Sequence, residues 1–292
     1  MPLIIVDYSG ISLAAVSAQN LPAEEDVLRH VILNSLRSLY SKHKSQYGEM
    51  VIACDSKSWR KEYYPYYKYR RHLARQDNNP DYWAEVFRIM EIVLQEIDEV
   101  MPWKVVRADG AEADDVIAAL ALRTQELGYR EDVLIISADS DFKQLLRYNN
   151  IRQYSNQQKK FVTEADPDRW LHEAILTGQK GKDDIPNIKT RDSFYADKGE
   201  SERQKSITAK YIAETWANRD ALEKHMNSEE YRNFVRNRTL IDFNYMDPGV
   251  NERVLDAYDE CTETPTQDIM AYLMRNRLNN LMKYMRDFYP KS

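Results

Sequence analysis

The sequence predicts an α/β fold: a mostly parallel central sheet with helices on both faces, followed by a helical carboxyl-terminal region. Three observations carry this. Short apolar runs recur, Leu3-Ile4-Ile5-Val6, Val51-Ile52-Ala53-Cys54 and Leu134-Ile135-Ile136, and strands that are apolar throughout are those covered on both sides in a parallel sheet. Between them lie segments with helical periodicity, the alternation that builds right-handed βαβ crossovers. From about Asp168 the pattern turns to helices only.

In order along the chain, the first strand ends at Asp7, and a helix follows from about Glu24 to Lys44, with Val27, Leu28, Val31, Ile32, Leu36 and Leu39 at helical spacing. The second strand ends at Asp55. A stretch carrying Lys57, Arg60, Lys61, Lys68, Arg70, Arg71 and Arg75 against the single acid Glu62 comes next. A helix from about Tyr82 to Val100 places Val86, Ile89, Met90, Val93, Leu94 and Ile97 on one broad face, and Trp103 to Ala108 reads as a strand. Glu112 opens another helix, and the strand from Leu134 leads to Asp139 and Asp141. Ile151 to Tyr154 and Lys159 to Thr163 can pair as an edge hairpin. Expected helices then span Asp168 to Thr177, Ser228 to Leu240 and Gln267 to Phe288. The polar stretch from Lys189 to Lys205 reads as a long loop or mobile connection anchored by Ser193-Phe194-Tyr195. The expected division is a core over residues 1–176, with a basic insertion at about 56–80, and a helical region over 177–292.

The 292 residues are 43% hydrophobic and 30% charged, ordinary for a globular chain with a real core. Two distant cysteines, Cys54 and Cys261, suggest no disulfide framework and hence a reducing compartment. No apolar run approaches the ~20 residues of a membrane span, and no signal segment opens the chain, so a soluble, cytoplasmic protein is expected. The net charge of −6 would argue against a nucleic-acid partner. That inference fails if the acids are gathered in a metal site, because bound cations do not appear in the sequence.

Ligands in open α/β sheets collect beyond the strands' carboxyl ends. Asp7, Asp55, Asp139 and Asp141 share that address, and Glu112, Asp114 and Asp115 start the helix after a further strand. Any one of these has a structural explanation: a turn, a helix cap, or an acid opposing the helix macrodipole. Four groups at one sheet edge would repel and raise each other's pKa unless divalent cations neutralised them. Asp139 and Asp141, two apart, point the same way in extended chain. The set suits a Mg²⁺ or Mn²⁺ phosphoryl-transfer site with ions ~3.5 to 4 Å apart. Competing motifs are absent: no G-x-G-x-x-G follows a strand, Gly178 to Asp183 lacks Walker spacing, and the five histidines form no H-x-x-x-H pair.

The motifs Ile5-Val6-Asp7-Tyr8-Ser9, Cys54-Asp55, Glu112-Ala113-Asp114-Asp115, Ser137-Ala138-Asp139-Ser140-Asp141-Phe142 and Asp183-Asp184-Ile185-Pro186-Asn187-Ile188 together resemble the flap endonuclease and 5′-3′ exonuclease family. Within it the resemblance is to the ribonuclease H branch of T-even bacteriophages, and it continues through Arg191 to Phe194 and Leu240 to Phe243. It implies a PIN-like 5′-nuclease core. Asp7, Asp55, Glu112, Asp114, Asp139 and Asp141 would form the metal cluster with Asp115 beside it. Residues 56–80 would be the arch that clamps a single-stranded 5′ end, Lys68 and Arg71 acting at the scissile phosphate and Arg60, Lys61 and Tyr67 binding substrate. Cations following phosphates and aromatic faces stacking on bases fit that role. Ile175 to Trp216 would be the helix-loop-helix that grips duplex DNA, with phosphate contacts from Lys182, Lys189 and Arg191 and a K⁺ ion in the loop.

One departure stands out. The family writes this loop G-D-x-x-D-N, both aspartates serving a second metal; here Asp183 matches the later one, but Lys180 stands in place of the earlier and Asp184 in place of the asparagine. A weakened second ion is expected, with either Asp184 a partial substitute for the missing ligand or Lys180 supplying positive charge in that ion's place. The resemblance implies a Mg²⁺-dependent 5′ nuclease acting on RNA-DNA hybrids and branched or 5′-ended duplex DNA, as in primer removal. It implies a monomer in the cytoplasm, that of the host if phage-encoded, with a sliding clamp or single-stranded DNA-binding protein as candidate partners. Two alternatives stand beside it: a PIN-like ribonuclease, commonly shorter and lacking the arch, and a non-catalytic nucleic-acid binder with a degraded second site.

Overall fold

The computed structural model describes residues 2–18, 21–70, 79–126, 128, 130–199, 201–261 and 268–290. Six strands form one sheet: β1 (Leu3–Asp7), β2 (Glu49–Ala53), β3 (Lys104–Val106), β4 (Val133–Ile136), β5 (Ile151–Ser155) and β6 (Lys160–Val162), in the order β3-β2-β1-β4-β5-β6. All neighbours are parallel except β5 and β6, the expected edge hairpin. The chain steps outward from β1 through β2 to β3, then returns to the other side of β1 for β4 and β5. The carboxyl ends of β1 and β4 therefore border a topological switch point.

Contacts divide the chain into two compact units. The first takes Met1–Lys57, Pro80–Thr163 and Gly249–Ser292; the second takes Ser58–Asn79 and Glu164–Pro248. The basic stretch packs with the 164–248 helices, and the last helices return to the sheet unit.

In the sheet unit, alternating strand residues share a face. Ile4 and Val6, Met50 and Ile52, and Leu134 and Ile136 pack with Leu28, Ile32 and Leu36 of the Glu25–Tyr47 helix and with Val86, Val93 and Ile97 of the Pro80–Val100 helix. Each such side chain contributes about 1.5–3 kcal/mol by leaving water. A helix unforeseen in the sequence, Tyr8–Ala18, begins directly after Asp7. The single helix expected over Gln267–Phe288 is instead three short ones, Ile269–Arg275, Asn279–Met282 and Met285–Phe288, Gln267 lying outside the described residues. The first ends where Arg277 adopts a φ of 54° and Leu278 N–H donates to Leu273 O at 2.8 Å. This is a left-handed cap without the glycine that usually announces one.

In the second unit, Tyr64 and Tyr67 join Leu171, Ile175, Ile188, Phe234 and Leu240 in one core. Buried Asn233 and Asn237, on the Ser228–Ile241 helix, donate to Ile188 O at 2.9 Å, Ile175 O at 2.8 Å and Pro186 O at 3.0 Å, satisfying from inside two loop carbonyls and one in the last turn of the Pro167–Thr177 helix. The described part of the 189–205 stretch is the loop alternative of the expectation, held at the expected apolar anchor. Phe194 and Tyr195 are buried within a short helix, Phe194–Asp197, and Gln204 joins the Tyr195 hydroxyl at 2.6 Å to Asn187 N–H at 2.7 Å.

Candidate active site

The sheet unit gathers carboxylates past its strand ends. Asp7 terminates β1, where its Oδ1 accepts from Gly10 N–H at 2.8 Å and its Oδ2 from the Ser137 hydroxyl at 3.3 Å. Asp55, exposed beyond β2, accepts from Ala113 N–H at 3.0 Å, so it caps the helix Ala113–Arg123 that follows β3. Glu112 and Asp115 form a capping box there, Glu112 N–H donating to Asp115 Oδ2 at 3.0 Å. The helix-cap explanation of these acids is thus correct, and it coexists with a second property. Glu112, Asp114 and Asp115 each present a carboxylate oxygen within 4.8 Å of the other two.

After β4, Asp139 Oδ1 accepts from Asp141 N–H at 3.0 Å, and Asp141 is itself buried. Asp7 reports how these groups feel one another. Burial, opposed by the Gly10 N–H, and the charges of Asp55, Asp139 and Asp114 push it up to about 6. The neighbouring carboxylates thus act on Asp7 as unbalanced negative charge, and the donors of the site are all hard oxygens. Both properties fit Mg²⁺ or Mn²⁺.

The second unit holds the remaining candidates. Lys68, at a φ of 55°, donates its N–H to Asp183 O at 2.9 Å and brings Nζ to 3.6 Å from Asp183 Oδ1. Lys182 Nζ lies 4.0 Å from the other oxygen. Arg70 claims Asp184 entirely, its N–H reaching Oδ2 and its Nε reaching Oδ1, both at 2.7 Å. Asp184 therefore anchors the basic stretch in this structure. Arg60 and Tyr67 lie inside this unit. They are 3% and 2% exposed, and Arg60 Nε donates to Leu240 O at 3.0 Å, so both belong to the core of this unit. Lys61 is exposed. Lys189 stands 3.7 Å over the Tyr211 ring and 3.9 Å from Glu230, while Arg191 is gripped by Asp197 and Glu202. Arg71 lies outside the described residues, as does the 71–78 part of the expected arch.

Gly178 ends the helix Pro167–Thr177 at a φ of 67°, and a Cβ there would meet Ile185 O at 2.3 Å. The loop from Gln179 to Ile185 closes on itself through hydrogen bonds between those two residues, in the place expected for the helix-loop-helix. Sequence reading missed Gly10, Ser137 and Gln153, the last of which donates from β5 to the Ser137 and Asp139 carbonyls. A glycine three residues after a strand-end aspartate was the signal for Gly10, and Ser137 stood in a quoted motif without a role of its own.

A doubly wound sheet with hard-oxygen donors at its switch point defines a metal-dependent hydrolase of the 5′-nuclease fold. Residues 8–173 match the family described as 5′-3′ exonuclease, N-terminal resolvase-like domain, and residues 164–288 match T4 RNase H, C terminal. The chain belongs to this 5′-3′ exonuclease family. It is 30% identical to Ribonuclease H of Enterobacteria phage T4, over 98% of this chain and 95% of that one. It is 27% identical to flap endonuclease Xni of Shewanella putrefaciens, over 63% of this chain and 68% of that one. Among solved structures it resembles the bacteriophage T5 D15 protein co-crystallised with metal ions, at a TM-score of 0.61 and 17% identity, over 89% of this chain and 98% of that one.

Proposed function

We propose that this nuclease hydrolyses phosphodiesters near the 5′ ends of RNA-DNA and DNA duplexes, with Mg²⁺ as its working ion and RNA primers among its substrates. The observation that carries the reading is the placement of carboxylates past the strand ends of one sheet: Asp7 at the end of β1, Asp55 beyond β2 on the cap of the Ala113–Arg123 helix, Glu112, Asp114 and Asp115 with oxygens within 4.8 Å of one another, and Asp139 and Asp141 after β4. Asp7, Asp55, Glu112, Asp114, Asp139 and Asp141 would hold the ions, with Asp115 beside them. When bound, divalent ions there activate water and offset charge on the leaving oxygen. Lys68 and Arg71 would counter the charge of the scissile phosphate, and Lys61, Lys182 and Lys189 would follow the backbone. Lys68 and Lys182 flank Asp183, and cations so placed oppose a metal ion. A second ion should therefore bind weakly, as the Lys180 departure also suggests. The family resemblance supports a K⁺ in the 178–185 loop, a monomer in the host cytoplasm, and recruitment by a sliding clamp or single-stranded DNA-binding protein.

Cleavage of 5′-labelled duplexes, one RNA-primed and one bearing a DNA flap, tests the reading across a Mg²⁺ series. Short 5′-labelled products should form and should fall at least ~100-fold with Asp139→Asn, as expected for loss of a ligand that acts in the transition state. Tight duplex binding with no cleavage in Mg²⁺ or Mn²⁺ would favour a non-catalytic binder instead.

A further inference from the structure

We infer that Gln153 and Ser137 are positioning residues that lock the strand-end carboxylates of β1 and β4 into one geometry and so set the metal affinity of the site. The inference rests on the proposed metal centre and adds to it a part that lies outside the carboxylates.

Past Ile136 the chain leaves the sheet ladder, and its carbonyls lose their strand partners. Gln153, on β5 and 1% exposed, replaces them: its Nε2 donates to Ser137 O at 3.0 Å and to Asp139 O at 2.6 Å. An amide NH₂ has two hydrogens, and both are used. Its Oε1 finds no hydrogen-bond partner among the described residues, so the two carbonyls alone set the orientation of the amide. Ser137 carries the restraint sideways. Its hydroxyl donates to Asp7 Oδ2 at 3.3 Å and accepts Asp139 N–H at 3.2 Å. A buried side chain on β5 thereby fixes the backbone that bears Asp139, and through Ser137 one oxygen of Asp7. Glutamate at 153 would turn an oxygen toward those carbonyls. An apolar residue of the same length would leave both without a partner.

The proposal is tested with the full chain carrying Gln153→Met, Ser137→Ala and Ser137→Thr. Mn²⁺ binding is followed by calorimetry without nucleic acid, and the Mg²⁺ dependence of cleavage is followed separately. Groups that orient metal ligands are typically worth about 10–100-fold in affinity. Gln153→Met and Ser137→Ala should each weaken Mn²⁺ binding about tenfold and raise the Mg²⁺ needed for half-maximal cleavage to match, while Ser137→Thr, which keeps the hydroxyl, restores both. If Gln153→Met does not fold, the Ser137 pair decides. Wild-type Mn²⁺ affinity in folded Gln153→Met, or in Ser137→Ala, overturns the inference. Failure of the wild-type protein to cleave would count against the nuclease reading, and the calorimetry would still decide the positioning role.

Discussion

At Gly10 an added Cβ would stand 2.4 Å from Asp7 Oδ2, while the Gly10 N–H holds Asp7 Oδ1 at 2.8 Å. Nothing larger fits unless the carboxylate moves, and a ligand moved by about 1 Å loses most of its value to the site. Gly10→Ala should therefore lower cleavage by at least ~10-fold. Its cost in stability should stay near that of an ordinary surface change, within ~0.5 kcal/mol, because Gly10 is exposed. Steady-state cleavage set beside urea unfolding checks this, and a loss of stability that accounts for the loss of rate would refute it. The carboxylates themselves were legible because each is announced locally, by an apolar run or a helix start. Gly10, Ser137 and Gln153 were not, because their role lies in contacts with residues up to 130 positions away.

At the scale of elements, the basic stretch from Arg60 to Arg70 was legible as charge but not as structure. Its cations do not all face solvent. Arg60 is core, Lys68 is paired to Asp183, and Arg70 spans Asp184 and the Lys180 carbonyl while lying 4.2 Å over the Tyr195 ring. Composition cannot distinguish a cation that awaits a phosphate from one that holds a loop, since both are lysines and arginines in a row. The pairing makes a prediction. Arg70→Ala would leave the buried Asp184 carboxylate without its partner, and because the Arg70 side chain is 37% exposed the cost should be roughly 1–3 kcal/mol, between an exposed and a buried pair. Asp184→Asn keeps the shape without the charge and should cost less. Neither variant should shift the Mn²⁺ affinity of the carboxylate cluster. A change in metal affinity for Asp184→Asn at unchanged stability would return Asp184 to the ligand set.

For the whole molecule, three titratable groups, two of them buried and the third half-buried, oppose one another. His43, between Tyr154 and Phe161 in the sheet unit, and His172, bonded to Thr215 at 3.0 Å in the second unit, are each pushed down to about 4. Burial is the main cause, aided by Lys42 and Arg219 respectively. A histidine depressed by folding contributes its full stability above its unfolded value of about 6.5 and loses it as pH falls toward 4. Asp7, raised to about 6, runs the other way: its contribution is complete below about 3.8 and is lost as pH rises through 6. Each change amounts to roughly 3 kcal/mol between protonation states. In the metal-free protein His43 and Asp7 therefore nearly cancel within the sheet unit, whereas His172 stands without such an offset among these three. Lowering pH from 7 to 5 should open the 164–248 helices before the sheet, as read by hydrogen exchange resolved to each unit. Added Mg²⁺ changes the balance, because a cation on the cluster keeps Asp7 ionised and removes its compensation for His43. The sheet unit should then gain stability at pH 7 and lose it more steeply on acidification than the metal-free form does. Equal pH slopes with and without Mg²⁺ would show that Asp7 is not a ligand.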